Sequence, residues 1–121
     1  MTRFPQTHTR TRSPRVHVPN REPVYFNLGN HQVSAVLRKL SLTGGLAEFD
    51  GTVGKTTLAE VRMDTVSGPV RGLVEFLTGQ RTIDVHAHPF RFVALGDTDY
   101  KRLHTTLQML RQKGFGENAA V

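Results

Sequence analysis

Between residues 23 and 95 the chain repeats one pattern six times: a short run of alternating apolar and polar residues, closed by a turn signal. Leu58-Ala59-Glu60-Val61-Arg62-Met63 alternates at period two, the signature of a strand with one face in a core and one in water. Pro23–Leu28, Gln32–Leu40, Leu46–Phe49, Val70–Leu77 and Pro89–Leu95 have the same character. Gly29-Asn30, Asp50-Gly51, Ser67-Gly68-Pro69 and Thr78-Gly79 punctuate them,. In Gln32–Leu40, Val33, Ala35 and Leu37 share one face while Val36 and Arg38 share the other. Strands this short and closely spaced, joined by turns and not by helices, pair antiparallel with their neighbours in a sandwich or barrel.

At Asp97 the period changes. Tyr100, Leu103, Leu107 and Leu110 are spaced as one face of an α-helix,. Asp97 is placed to cap its start. Lys113 falls in its last turn, and Gly114 suits the position after the end, where left-handed backbone is common. The helix stripe is expected to pack on the barrel, with Met109 off that stripe as a candidate partner contact.

A chain of 121 residues has room for one core. Its 16 basic and 10 acidic residues give +6, but Arg3, Arg10, Arg12, Arg15 and Arg21 fall within residues 1–21, which contain no acid. The arm therefore carries +5 and the rest of the chain only +1. Rich in Thr, Arg, Pro and His without apolar periodicity, the arm is expected to be flexible when free and to seek phosphate. The absence of cysteine rules out disulfides and thiolate metal sites and fits a reducing cytosol. No apolar run reaches the roughly 18 to 20 residues of a membrane-spanning helix, and the N-terminus does not resemble a secretion signal.

Two segments carry most of the chemistry. Arg10-Thr11-Arg12-Ser13-Pro14-Arg15 offers three guanidiniums, and Leu40-Ser41-Leu42-Thr43-Gly44-Gly45 offers a hydroxyl, backbone N–H groups and two glycines at a turn. Guanidinium forks onto phosphate oxygens or guanine O6 and N7 and also stacks on bases. The glycines admit close approach and positive φ. Together they look like the two halves of a clamp for a small, anionic, guanine-bearing ligand.

Other patterns carry less. Gly51-Thr52-Val53-Gly54-Lys55-Thr56-Thr57 has a phosphate-loop look, but Phe49 stands where that motif needs its first glycine and a strand-like run follows,. His86 and His88 share a face with Asp84, yet a metal site needs further ligands from elsewhere; a polar strand end accounts for them. No Ser/His/Asp order or paired-carboxylate pattern suggests catalysis.

The order of arm, β-barrel, Ser-x-x-Gly turn after the second strand and closing helix resembles a PilZ domain, the bacterial receptor domain for cyclic di-GMP (c-di-GMP). The resemblance rests on Arg12-Ser13-Pro14-Arg15-Val16, Leu40–Leu46, and Phe90-Arg91-Phe92-Val93-Ala94-Leu95 leading into the helix, and it spans residues 10–115. It implies a small six-stranded antiparallel β-barrel with a C-terminal α-helix and a flexible basic N-terminal arm. Residues 1–9 and 116–121 are then flexible tails.

It also implies a cytoplasmic c-di-GMP receptor, with no enzymatic activity and no cofactor, that relays its signal to a protein effector. Arg10, Arg12 and Arg15 would grip the ligand opposite Lys39, Ser41, Gly44 and Gly45. The family's R-x-x-x-R places Thr11 at its first arginine when Arg15 is the second. Its [D/N]-x-S-x-x-G places Lys39 at the acid or amide that accepts from guanine N1–H and N2–H₂; lysine has only donors. Weaker binding than a complete motif gives is expected. The alternative is a degenerate PilZ domain that binds no nucleotide and acts as a protein-interaction module. A nucleic-acid reading fares worse, because Tyr25 and the seven Phe fall mostly in core phase, leaving no basic surface interleaved with aromatics,.

Overall fold

The computed structural model of the chain describes residues 2–3, 14–51, 57–77 and 86–116. It contains eight strands, β1 (Thr2–Arg3), β2 (Val16–His17), β3 (Pro23–Leu28), β4 (His31–Leu40), β5 (Gly44–Glu48), β6 (Leu58–Thr65), β7 (Gly68–Phe76) and β8 (Ala87–Gly96), followed by helix α1 (Asp97–Gln112). Strands β3 to β8 are the six expected from the alternation. They pair antiparallel in the order β8-β5-β4-β3-β6-β7, and β7 returns to β8 to close the barrel. The two-residue strands β1 and β2 lie outside this ring, on β8 and β4 respectively.

Two positions depart from simple alternation. In β4 the register against β5 skips Arg38, so that Leu37 faces Ala47 while Lys39 faces Leu46. Leu37 and Leu40, three residues apart, therefore both reach the core. In β8 the register against β7 skips Val93, and Phe92 and Leu95 are both buried where strict alternation would put Ala94 inside. Each is a β-bulge, one extra residue that reverses the facing of everything after it and sharpens the bend.

The core is aromatic at its centre. Phe26 packs against Phe76 and Phe90 at centroid distances of 4.9 and 5.4 Å, and Phe90 meets Phe92 edge-on at 5.7 Å. These tilted and edge-to-face contacts are the favoured geometries for rings. At one end of the barrel His88 stacks on Phe49 at 3.9 Å, with its Nε2 3.1 Å from the Phe49 carbonyl oxygen, and His86 lies 3.0 Å from Asp50. Both histidines have structural partners, and no group of metal-ligating residues occurs among the described residues. Residues 52–56 lie outside the description, but Leu58 opens a strand, not the helix a phosphate loop requires.

Helix α1 closes the other end. Leu103, Thr106 and Leu107 are buried, with Tyr100 and Leu110 packed beside them, as the sequence stripe predicts. Its start differs from expectation. Gly96 occupies the cap without a side-chain bond, and Asp97 and Asp99 lie within the first turn, where carboxylates favour the positive end of the helix dipole. Asp99 instead accepts from the Arg71 backbone N–H at 2.9 Å, tying helix to β7. At its end Gly114 takes φ +93°. Gly114 N–H donates to the Arg111 carbonyl and Phe115 N–H to the Leu110 carbonyl, both at 3.0 Å, a Schellman motif.

Leu103 is fully buried between helix and barrel. Leu103→Ala should destabilise the domain by about 2 to 5 kcal/mol, checked by chemical denaturation; a loss under 1 kcal/mol would show that the helix is not an integral part of the core.

Candidate functional site

The turn joining β4 to β5 is built around Ser41, which is 3% exposed. Its Oγ accepts from the N–H groups of Thr43 and Gly44, each at 3.2 Å, and lies 3.3 Å from the Gly44 carbonyl, to which it donates. The Ser41 N–H also donates to that carbonyl at 2.8 Å. Short hydroxyl side chains commonly bond backbone in this way and fix a turn. The hydroxyl expected to face a ligand is thus committed to the turn itself.

The two glycines have a packing reason as well. A Cβ on Gly44 would stand 2.2 Å from the Phe90 carbonyl oxygen and 2.9 Å from the Arg91 Cα. A Cβ on Gly45 would stand 2.5 Å from the Lys39 carbonyl oxygen and 2.8 Å from the Phe90 ring. Neither residue has positive φ, contrary to the expectation for a turn glycine. Their missing side chains let β5 press against β4 and β8.

Around this turn the register gathers cations. Lys39 continues β4 past the Arg38 bulge, facing Leu46 on one side and His17 on the other. Val16 faces Leu40, with Arg15 the residue before Val16 and Ser41 the residue after Leu40. Across the turn Gly44 faces Arg91 of β8, whose Nε donates to Glu75 at 2.7 Å. Lys39 and Arg91 therefore flank the turn, with His17 paired beside Lys39. Such an arrangement can hold a polyanion; it carries positive charge and backbone polarity but presents no activated nucleophile.

Of the seven residues singled out from sequence, the structure brings together Lys39, Ser41, Gly44 and Gly45, while Arg15 stands one residue before the β2–β4 pairing. Arg10 and Arg12 lie outside the described residues. The sequence reading passed over His17 and Arg91. The signal for Arg91 was present: in Phe90-Arg91-Phe92 the alternation that buries both rings turns the arginine outward. For His17 there was none, since its position depends on β2 pairing with β4.

The arm is also tied at a second point. Thr2 and Arg3, within the stretch expected as a flexible tail, pair with Gly96 and Leu95 of β8. The arm therefore has two described contacts with the barrel, Thr2–Arg3 on β8 and Val16–His17 on β4.

No protein-family model and no curated protein matches this chain. Among solved structures, the c-di-GMP-bound PilZ domain of YcgR from Escherichia coli matches with a TM-score of 0.65 at 19% identity, covering 87% of this chain and 94% of that one. The fold is PilZ-like.

The turn geometry makes two separable predictions. Ser41→Ala leaves the Thr43 and Gly44 N–H groups without their acceptor and should cost about 1 to 3 kcal/mol in denaturant titration. Gly44→Ala forces two strand backbones apart and should cost about as much or more, with amide exchange in β5 and β8 accelerating before that in β6. If both variants kept wild-type stability, the turn would have no structural claim on these residues.

Proposed function

We propose that this chain is a c-di-GMP receptor domain that passes its signal to a protein effector. The observation that carries the proposal is the position of Lys39 and Arg91 beside the Ser41–Gly44 turn of a PilZ-like barrel, with Arg15 one residue before the β2–β4 pairing. The dinucleotide has two phosphates and two guanines, and guanidinium addresses both. Arg10 and Arg12 enter the proposal as the further grips of the arm. Ordering each arm residue costs roughly 1 to 2 kcal/mol, while each charge-assisted hydrogen bond returns about 1.5 to 3 kcal/mol. Two or three arginines acting together are therefore needed.

The turn in this proposal acts through its backbone. Gly44 and Gly45 keep the surface low beside Arg91, and Ser41 holds the turn in shape. Lys39 can meet phosphate or guanine O6 but not the guanine N1–H and N2–H₂ edge, so affinity falls below that of a complete motif. The domain acts as a receptor and not as an enzyme, in the bacterial cytoplasm, with the ordered arm as part of the surface the effector reads. No helix among the described residues is long and apolar enough to cross a membrane.

One observation favours a second reading. Ser41 and both glycines are accounted for by packing and turn bonds alone, as they would be in a domain that had lost the nucleotide and kept the barrel as a protein-interaction module. Isothermal titration of c-di-GMP, with GTP as control, separates the two. Saturable binding that falls by at least about tenfold in Arg12→Ala/Arg15→Ala, roughly 1.4 kcal/mol or more, supports the receptor. Binding unchanged by the double substitution sinks the proposed site, and no binding by the wild-type chain selects the interaction module.

A further inference from the structure

The barrel wall beside the Ser41–Gly44 turn carries a row of residues drawn from four strands. His17 faces Lys39, Lys39 faces Leu46, and Leu46 faces Pro89. The row one step nearer the turn is Val16, Leu40, Gly45 and Phe90. That row points inward: Val16, Leu40 and Phe90 are buried, and Gly45 lies against the Phe90 ring. Successive side chains alternate across a sheet, so the row from His17 to Pro89 points out of the barrel. Leu46 is accordingly only half-buried and lies outside the core.

The backbone bonds fix how close these side chains stand. The Leu77 N–H donates to the Pro89 carbonyl at 2.9 Å, whereas three residues on the Phe92 N–H donates to the Thr43 carbonyl on the β5 side. Pro89 therefore turns its polar edge toward β7 and away from β5. The N–H it lacks would point past Phe76, where β7 ends, so proline costs no ladder bond to β5. Leu46 and Pro89 thus form a non-hydrogen-bonded pair, the kind in which Cα atoms come within about 4.5 Å and side chains are closest.

The result is an outward apolar strip two side chains wide, with Lys39 continuing the row on its β4 side. Arg91 lies on the same face, two residues beyond Pro89 and diagonal to Leu46, a spacing of about 7 to 8 Å that a long side chain spans. Its stem is held by the bond from Nε to Glu75. A flat heterocycle fits this arrangement: its face covers the apolar pair, and its polar edge and phosphates reach the basic residues on either side.

We propose that Leu46 and Pro89 form the shelf on which one guanine of the dinucleotide lies, between Lys39 and Arg91. This inference rests on the receptor reading above and names the two residues that read the base and not the phosphates.

The test titrates the full chain with c-di-GMP and, separately, with tripolyphosphate, a polyanion that has no base. Leu46→Thr keeps a strand-forming residue on the outer face but removes most of the apolar surface. It should weaken c-di-GMP about tenfold and leave tripolyphosphate unchanged, while Leu46→Phe, which widens the shelf, should keep or raise c-di-GMP affinity. In the wild-type complex the guanine H8 proton should show nuclear Overhauser contacts to the Leu46 methyl groups. If wild type binds c-di-GMP and Leu46→Thr binds it equally well, the shelf is overturned and the receptor reading stands. An equal loss for both probes would trace the effect to a disturbed turn and would likewise overturn the shelf. No c-di-GMP binding by the wild-type chain would remove the receptor reading and the shelf together.

Discussion

A six-stranded barrel this small closes only if its longest strands bend, and here the bending is done by two extra residues. Arg38 in β4 and Val93 in β8 each sit opposite no partner in one neighbouring strand. Because side chains alternate at a period of two, an inserted residue turns everything beyond it to the other face. That reversal brings Leu40 and Leu95 into the core after Leu37 and Phe92. Each of these strands also serves two segments along its other edge: β4 takes β3 and then β2, and β8 takes β5 and then β1.

The six barrel strands and the helix were legible in the sequence because they are amphipathic, and burial of one face at a fixed period is what sequence records best. The helix stripe at Tyr100, Leu103, Leu107 and Leu110 and the terminal Gly114 match the structure for that reason. The bulges were not legible. Arg38 and Val93 are ordinary strand residues, and only the pairing of a distant strand reveals that each is surplus. The start of α1 was misread because Asp97 is a good cap by type, whereas Gly96 ends β8 in extended backbone and passes directly into the helix.

The candidate site was legible by residue type and less so by role. Ser41, Gly44 and Gly45 stood out as a ligand-facing turn. Their hydroxyl and missing side chains are taken up by the turn's own bonds and by close contact with Phe90 and Arg91. A glycine needed because two backbones meet looks the same in sequence as a glycine needed because a ligand approaches. Short strands pose a similar difficulty. The pairing of Val16-His17 with Leu40 and Lys39 has no period to announce it, yet it places His17 beside Lys39.

The bridge between Val16 and Gly116 brings the root of the arm and the stretch after α1 to a single corner. From Val16 the polypeptide runs through the barrel and helix and returns beside its own starting strand. A unit with adjoining entry and exit can be set into a surface loop of another protein with little disturbance to either partner. The same corner adjoins Leu40, which leads into the Ser41–Gly44 turn, so the arm root and the stretch after α1 meet beside that turn.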